Sequence, residues 1–313
     1  MRAVVYNTGE RGVQYMSLKK SKRKTKGTKL TYTFKSDVLF KMLFVKNQHL
    51  LKRLIAILLE IPLESITDFR VTNAEIPPEE IGKKFCRLDI NMIVDGNMVN
   101  LEVQVQDEGS YPERVLYYFA RIYSSSLPAG NDYSSLPKTI IISIIDFELF
   151  DCEEVHSEFQ VMEVKRHTPL TDKCGLHFFE LPKMPDVESI DTSKEKDLWL
   201  ALFNAETEEE LEELSQNGGA LMGEAIQAYH SITATEEFRN LEWLRTKTRH
   251  DEAQALGNAE RKGVKKGAEA ERKKWQGVAT ENEQLKSVVA DKDTALAEQA
   301  ELIAKLQAQL NKK

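Results

Sequence analysis

The sequence is poor in cysteine, and its cysteines show none of the spacings that metal sites and disulfide frameworks use. The three cysteines, Cys86, Cys152 and Cys174, are odd in number and far apart, and no Cys-x-x-Cys occurs. This argues against a disulfide framework and against a zinc site. The six histidines do not cluster, and the chain has no Walker A loop, dinucleotide-binding glycine loop or Gly-x-Ser-x-Gly elbow. The common signatures of nucleotide-binding and serine-hydrolase sites are therefore missing.

Long apolar runs are missing as well. No run approaches the ~18 apolar residues that a membrane helix requires, and the N-terminus lacks the apolar segment of a signal peptide. We therefore expect a soluble, cytoplasmic protein with no membrane partner. A chain of 313 residues with 41% hydrophobic content can hold one sizeable core and accessory elements.

Charge is unevenly distributed along the chain. The formal net charge is −7, yet residues 19–29 contain seven cations and no acid, among them Lys22, Arg23 and Lys24. Blocks of like charge are usually disordered, solvated arms, and they can also contact DNA phosphates without sequence preference. Both interpretations of this basic arm, residues 1–29, remain open.

The most informative segment is a predicted β-hairpin over residues 84–106. Its two arms alternate apolar and polar residues around Asp95-Gly96, a strong two-residue turn signal. With that turn, paired residue numbers sum to 191, which places Asp89 opposite Glu102. Opposed carboxylates destabilise a sheet unless something lies between them, and a divalent cation such as Mg²⁺ would suit the pair. A shifted turn or a bulge would instead place Asp89 opposite Gln104, and all three side chains would stay on one face.

Three blocks of sequence together resemble a known family. They are SDVLFKMLF at residues 36–44, then LDI, DG and LEVQ between residues 88 and 104, and RVLYYFARIY at residues 114–123. In this order they are similar to the Rpn family of recombination-promoting nucleases, also called PD-(D/E)xK family transposases. The resemblance spans roughly residues 30–180 and has the variant of the motif in which Gln replaces the usual Lys.

The resemblance implies an α/β restriction-endonuclease-like fold, with a mixed sheet flanked by helices, and a DNA endonuclease that uses Mg²⁺ or Mn²⁺. Asp89 and Glu102 would hold the metal, Gln104 would orient the attacking water, and Asp37 would contribute a further acid. The alternative for Asp37 is a favourable interaction with the dipole of its helix.

Two arginines are candidates for contacts to DNA. Arg87 lies on the hairpin face of the acids, where it would either serve the phosphate or neutralise the acids. Arg114 lies on a predicted helix with Tyr117, Tyr118 and Arg121 at i, i+3, i+4 and i+7. We expect Arg114 to contact a phosphate or a carboxylate, and the tyrosines to pack on the sheet.

Composition divides the chain into four segments: the arm at residues 1–29, a nuclease-like domain at 30–190, a helical region at 191–255, and a basic linker with a coiled coil at 256–313. In the last segment Val289, Leu296, Ile303 and Leu310 recur every seven residues, with Leu285 and Leu306 beside them. This heptad pattern favours a homodimer, with a single solvated helix as the alternative. The competing function is a non-catalytic DNA-binding or coiled-coil interaction protein on a degenerate nuclease scaffold.

Overall fold

The structure is a computed structural model, and it describes residues 27–73, 89–107, 109–127 and 129–310. The chain divides into two compact units, Met1–Thr248 and Arg249–Lys313. The basic arm lies almost wholly outside the described residues, as do Arg87, Lys22, Arg23 and Lys24.

Two helices open the described part of the first unit, α1 (Asp37–Lys46) and α2 (Gln48–Leu58). The hydroxyl of Ser36 accepts a hydrogen bond from the backbone N–H of Leu39, as expected of an N-cap residue. Asn47 separates the two helices and accepts the first hydrogen bonds of α2. The chain therefore begins a second helix directly after the first.

A six-stranded mixed sheet forms the centre of this unit, in the order β1-β2-β3-β4-β6-β5. Strands β3 and β6 run parallel to β4, and the other neighbouring pairs are antiparallel. The strands are β1 (Phe69–Val71), β2 (Ile90–Val94), β3 (Asn97–Gln104), β4 (Thr139–Ile145), β5 (His156–Phe159) and β6 (Cys174–Glu180). Every residue of β4 is buried, as the apolar sequence of a central parallel strand predicts.

Helices cover both faces of the sheet. One face of β2, β3 and β4 contributes Ile90, Leu101 and Ile142 to the main core, which also contains the apolar residues of α1 and α2. The other face contributes Ile141 and Ile145 to a smaller core beneath α3 (Tyr111–Ser125). Because side chains alternate along a strand, Asn100, Glu102 and Gln104 lie on the α3 side of β3. The fold is consistent with the predicted restriction-endonuclease-like class.

Three further helices, α4 (Glu195–Asn204), α5 (Glu208–Asn217) and α6 (Gly219–Thr233), follow the sheet. Their apolar residues, including Trp199, Leu211 and Tyr229, belong to the same core as α1, α2 and the sheet. Residues 191–248 therefore fold as part of the first unit, together with the segment predicted as the nuclease-like domain. The apolar stripe of these helices was visible in the sequence, but what it packs against was not.

The last helix, α7, spans Glu236–Leu310. The basic residues 261–267, part of the segment predicted as a basic linker and coiled coil, are helical in the structure. They include two glycines, Gly263 and Gly267, each of which weakens a helix by only about 1 kcal/mol relative to Ala. Within the second unit the seam side chains of Leu285, Val289, Leu296 and Ile303 are 55–62% exposed. The side chains of Leu306 and Leu310 lie outside the described part. Among the described helices, none combines the length and apolarity that would let it cross a membrane.

Candidate active site

The hairpin turn fixes the register of the two strands that carry the candidate acids. Asp95 and Gly96 both have positive φ, 47° and 79°, as a two-residue type I′ turn requires. Val94 pairs with Asn97, Asn91 with Asn100, and Ile90 with Leu101. These pairs follow the predicted sum of 191, and the same register extended by one residue sets Asp89 across from Glu102.

Two asparagines hold the carboxylate of Asp89. The side-chain amide of Asn100 donates to Asp89 Oδ2 at 2.5 Å, and that of Asn91 donates to the same oxygen at 3.1 Å. Asn100 also donates to Asn91 Oδ1 at 2.8 Å, which joins the pair across the hairpin. Asn100 is buried. The two amides therefore fix the direction of the Asp89 carboxylate.

Glu102 is held by groups from α3 and β4. The hydroxyl of Tyr111 donates to Glu102 Oε1 at 2.5 Å, and that of Ser143 donates to the same oxygen at 3.3 Å. Arg114 Nη2 lies 3.9 Å from Glu102 Oε2, and its guanidinium carbon lies 4.5 Å from the centre of the Tyr111 ring. The carboxylate contact expected of Arg114 is therefore present. Burial, and secondarily the charge of Glu102, raise the pKa of Tyr111 well above its usual range, so the phenol remains a donor.

Asp89 and Glu102 open into one cavity of about 280 Å³ between the sheet and α3. The sheet side presents both acids and both asparagines. The α3 side presents Val115, Tyr118, Arg121, Ile122 and Ser125. The cavity thus places acids opposite an aromatic and cationic wall, which suits a ligand that has both a negative charge and a ring.

Gln104 does not line this cavity. Its side-chain amide donates to the backbone oxygen of Gln106 at 2.8 Å. The next residue after β4, Asp146, donates its N–H to the backbone oxygen of Gln104 and forms a 2.8 Å ion pair with Lys35. A positive charge therefore lies near the carboxyl ends of β3 and β4, although the family motif has Gln at position 104.

Asp37 lies in another environment. It occupies the first turn of α1 and forms a 2.7 Å ion pair with Arg245 of α7, in which the two side chains are only 13% and 11% exposed. Asp37 does not line the cavity of Asp89 and Glu102. The structure thus brings Asp89 and Glu102 together and gives Asp37 a contact that joins α1 to α7.

The donor set at the cavity suits a hard divalent cation. Within residues 27–73, 89–107, 109–127 and 129–310, no group of three or more His, Cys, Asp or Glu is arranged to hold a metal ion. The candidate ligands are therefore two carboxylates, with amide oxygens beside them. Mg²⁺ is commonly bound by one or two carboxylates and keeps several waters, so the residues present fit that ion.

A comparison with protein families decides the classification of the chain. The family described as PD-(D/E)XK nuclease family transposase matches residues 34–259. The chain belongs to this family. No curated protein and no solved structure matches it. The resemblance found in the sequence is confirmed, and family membership indicates a nuclease- or transposase-related function, in a group whose nucleases generally use divalent metals.

The sequence analysis did not assign a role to Asn91, Asn100 or Tyr111. The two asparagines carried a detectable signal, since their register position and strand alternation put them on the face of the acids. No sequence signal indicated Tyr111, because its contact with Glu102 depends on how α3 crosses the sheet.

Proposed function

We propose that this protein is a metal-dependent DNA endonuclease that hydrolyses phosphodiester bonds and acts in recombination or on mobile elements. The observation that supports it is the placement of Asp89 and Glu102 in one cavity, in a chain that belongs to a nuclease family. Each acid is oriented by hydrogen bonds from neighbouring strands or from α3, as expected of groups that must bind an ion in a fixed geometry.

Asp89 and Glu102 would hold the ion, Mg²⁺ or Mn²⁺. When bound, it would stabilise negative charge on the scissile phosphate and lower the pKa of a water. Asn91 and Asn100 keep the Asp89 carboxylate aimed at the cavity, and Tyr111 does the same for Glu102. Arg114 offsets part of the negative charge of Glu102, which would otherwise repel a phosphate.

Gln104 remains our candidate for orienting the attacking water. An amide can hold a water through its oxygen and its N–H groups, but it supplies no charge. One of its two N–H donors is committed to Gln106 in the structure, and the oxygen is the group proposed to act on the water. A Gln104→Glu variant keeps a side-chain oxygen, whereas Gln104→Leu removes all polar atoms, so only the second should abolish this function.

The direct test is incubation of the full-length protein with supercoiled plasmid and Mg²⁺ or Mn²⁺. We expect the wild type to nick or linearise the plasmid, and EDTA to abolish this cleavage. Glu102→Gln and Asp89→Asn should each lower the cleavage rate at least about a hundredfold, the usual size of such effects. Glu113→Gln provides the matched control, since it makes the same chemical change at an exposed acid on the first turn of α3.

The outcomes separate the proposal from its competitor. Equal cleavage by the wild type and both site variants would assign the activity to another site or to a contaminant. Retention of DNA in a gel shift without any cleavage would favour the non-catalytic DNA-binding protein. In that case binding should fall as salt rises and as residues 19–29 are removed.

A homodimer through the second unit is part of the same proposal. Residues Leu285, Val289, Leu296 and Ile303 form an exposed apolar seam, and Trp275, which is 64% exposed, lies two heptads before Val289. An exposed heptad seam on a long helix is typical of a coiled coil. Two copies would bring two candidate sites into one assembly.

Sedimentation equilibrium of the full chain tests the dimer. Leu296→Lys places a charge on the seam and should shift the mass toward that of the monomer. Thr294→Lys makes a comparable change on the opposite face of the helix and should not. A monomeric wild-type protein would refute the pairing and leave the nuclease proposal in place.

A further inference from the structure

The position of α3 over the polar face of the sheet limits what can reach the candidate acids. Glu102 is only 9% exposed, and it lines the same cavity as Val115 and Ile122 of α3. The cavity volume, about 280 Å³, is just below the roughly 300–1,000 Å³ of pockets that enclose small ligands. It has room for a group about the size of one nucleotide.

Aromatic side chains extend from this cavity onto the outer surface of α3. Tyr118 lines the cavity. The ring of Tyr117 makes an edge contact with the ring of Tyr118, with the ring centres 5.7 Å apart. Tyr117 is 63% exposed, so the expectation that it packs on the sheet is wrong. The two rings are inclined by 74°, so the exposed tyrosine and the cavity-lining one form a surface with two differently oriented aromatic faces. Such surfaces stack bases in proteins that bind single-stranded nucleic acid.

Charge on the same wall suits the backbone of such a strand. Arg121 lines the cavity on the side of Tyr118, one helical turn further along α3, and is exposed to solvent. Arginine binds phosphate through a planar fork of donors. A base on the tyrosines and a phosphate on Arg121 would be neighbouring parts of one strand.

A double helix cannot use this surface in the same way, because its bases are stacked on one another and are not free to pack on tyrosine. We infer that the site acts on unpaired DNA: a single strand stacks its bases on Tyr117 and Tyr118, and its phosphate enters the cavity past Arg121. This rests on the proposed nuclease function for its chemistry, although the binding step can be measured without cleavage.

Fluorescence anisotropy provides the binding test, with a labelled single-stranded oligonucleotide and the same sequence annealed as a duplex. The full-length protein would carry Glu102→Gln so that no strand is cut, at one fixed salt concentration. Phosphate contacts from the basic residues 19–29 would contribute to the binding of both probes, with different strength for duplex and single strand, so substitutions of Tyr117 report on the aromatic surface.

We expect the single strand to bind more tightly than the duplex. Tyr117→Ala should weaken single-strand binding about tenfold, whereas Tyr117→Phe should retain it, since the ring does the stacking. Tyr133→Ala is the matched control, because Tyr133 is 81% exposed and lies outside α3, and it should change nothing. Equal affinity for both probes, or a single-strand affinity that Tyr117→Ala leaves unchanged, would overturn the inference.

Cleavage of circular single-stranded DNA and of relaxed duplex by the wild type separates the two proposals. Faster cutting of the single strand, reduced by Tyr117→Ala, supports both. Equal cutting of both forms, unaffected by Tyr117→Ala, retains the nuclease and rejects the preference for unpaired DNA. No cutting of either form, together with single-strand binding that Tyr117→Ala weakens, rejects the nuclease and retains the binding surface.

Discussion

The hydrogen bond from Tyr111 to Glu102 can be removed with little other change. Tyr111→Phe deletes one hydroxyl, which donates to Glu102 Oε1 at 2.5 Å. The ring is fully buried and makes edge contacts with Phe147 and Phe178, at centre distances of 5.4 Å and 6.2 Å. Phenylalanine preserves these contacts, so the substitution reports on the hydrogen bond itself.

The expected loss follows from the charge of the acceptor. Hydrogen bonds to charged groups contribute about 1.5–3 kcal/mol to stability. Glu102 keeps the hydroxyl of Ser143 at 3.3 Å and the nearby Arg114, which compensate in part. We therefore expect the lower part of that range, about 1.5–2 kcal/mol, which lowers the Tm of a domain of this size by roughly 3–8 °C.

Urea unfolding followed by circular dichroism measures the effect. Tyr133→Phe is the control, because its side chain is 81% exposed and should change the free energy of unfolding by less than about 0.5 kcal/mol. In a Glu102→Gln background the acceptor is neutral, and the loss caused by Tyr111→Phe should fall to about half, since charge-assisted hydrogen bonds are roughly twice as strong.

Two results would contradict this reasoning. If Tyr111→Phe is as stable as the wild type, the hydroxyl does not hold the carboxylate. If the loss is the same with Glu102 and with Gln at position 102, the contribution of Tyr111 does not depend on the charge of its acceptor.

Three further changes test other parts of the first unit. Burial lowers the pKa of His177 from 6.5 to about 4, so between these pH values the unfolded chain binds more protons than the folded protein. The contribution of His177 to the free energy of unfolding should therefore decrease by about 3 kcal/mol as pH falls from 7 to 4. His177→Phe should remove this part of the pH dependence measured by urea unfolding. Asn100→Ala removes one of the two amides on Asp89 and should weaken Mn²⁺ binding about 10- to 100-fold by isothermal titration calorimetry, where unchanged affinity would exclude a positioning role. Arg245→Met removes the largely buried ion pair between Arg245 and Asp37 and should destabilise the protein by about 3–5 kcal/mol, whereas Arg70→Met in an exposed pair should cost under about 1 kcal/mol, both measured by thermal unfolding.

The hairpin shows how much of the site could be predicted from the sequence. Alternation along two strands and one Asp-Gly turn determine which residues face each other, because both signals are local. The pairing of Asn91 with Asn100, and the shared face of Asp89 and Glu102, follow from these signals alone. The turn chemistry also decided between the two registers, since Asp95 and Gly96 both adopt positive φ.

Contacts between distant elements could not be predicted in this way. Asp37 has the same place in the sequence pattern whether it faces the cavity or Arg245, and 208 residues separate it from Arg245. The segment predicted as a basic linker and coiled coil is helical at Gly263 and Gly267. Glycine lowers helix stability only moderately, and its helical neighbours are sufficient to maintain the helix.

The side chains that donate hydrogen bonds to Asp89 and Glu102 keep the same protonation state over a wide range of pH. The amides of Asn91 and Asn100 do not titrate, and the raised pKa of Tyr111 keeps its phenol protonated well into the alkaline range. The hydrogen-bond donors around Asp89 and Glu102 thus keep their protons from weakly acidic to weakly alkaline solution. A pH–rate profile measured over that interval would therefore carry no contribution from the asparagine and tyrosine side chains that position the two acids.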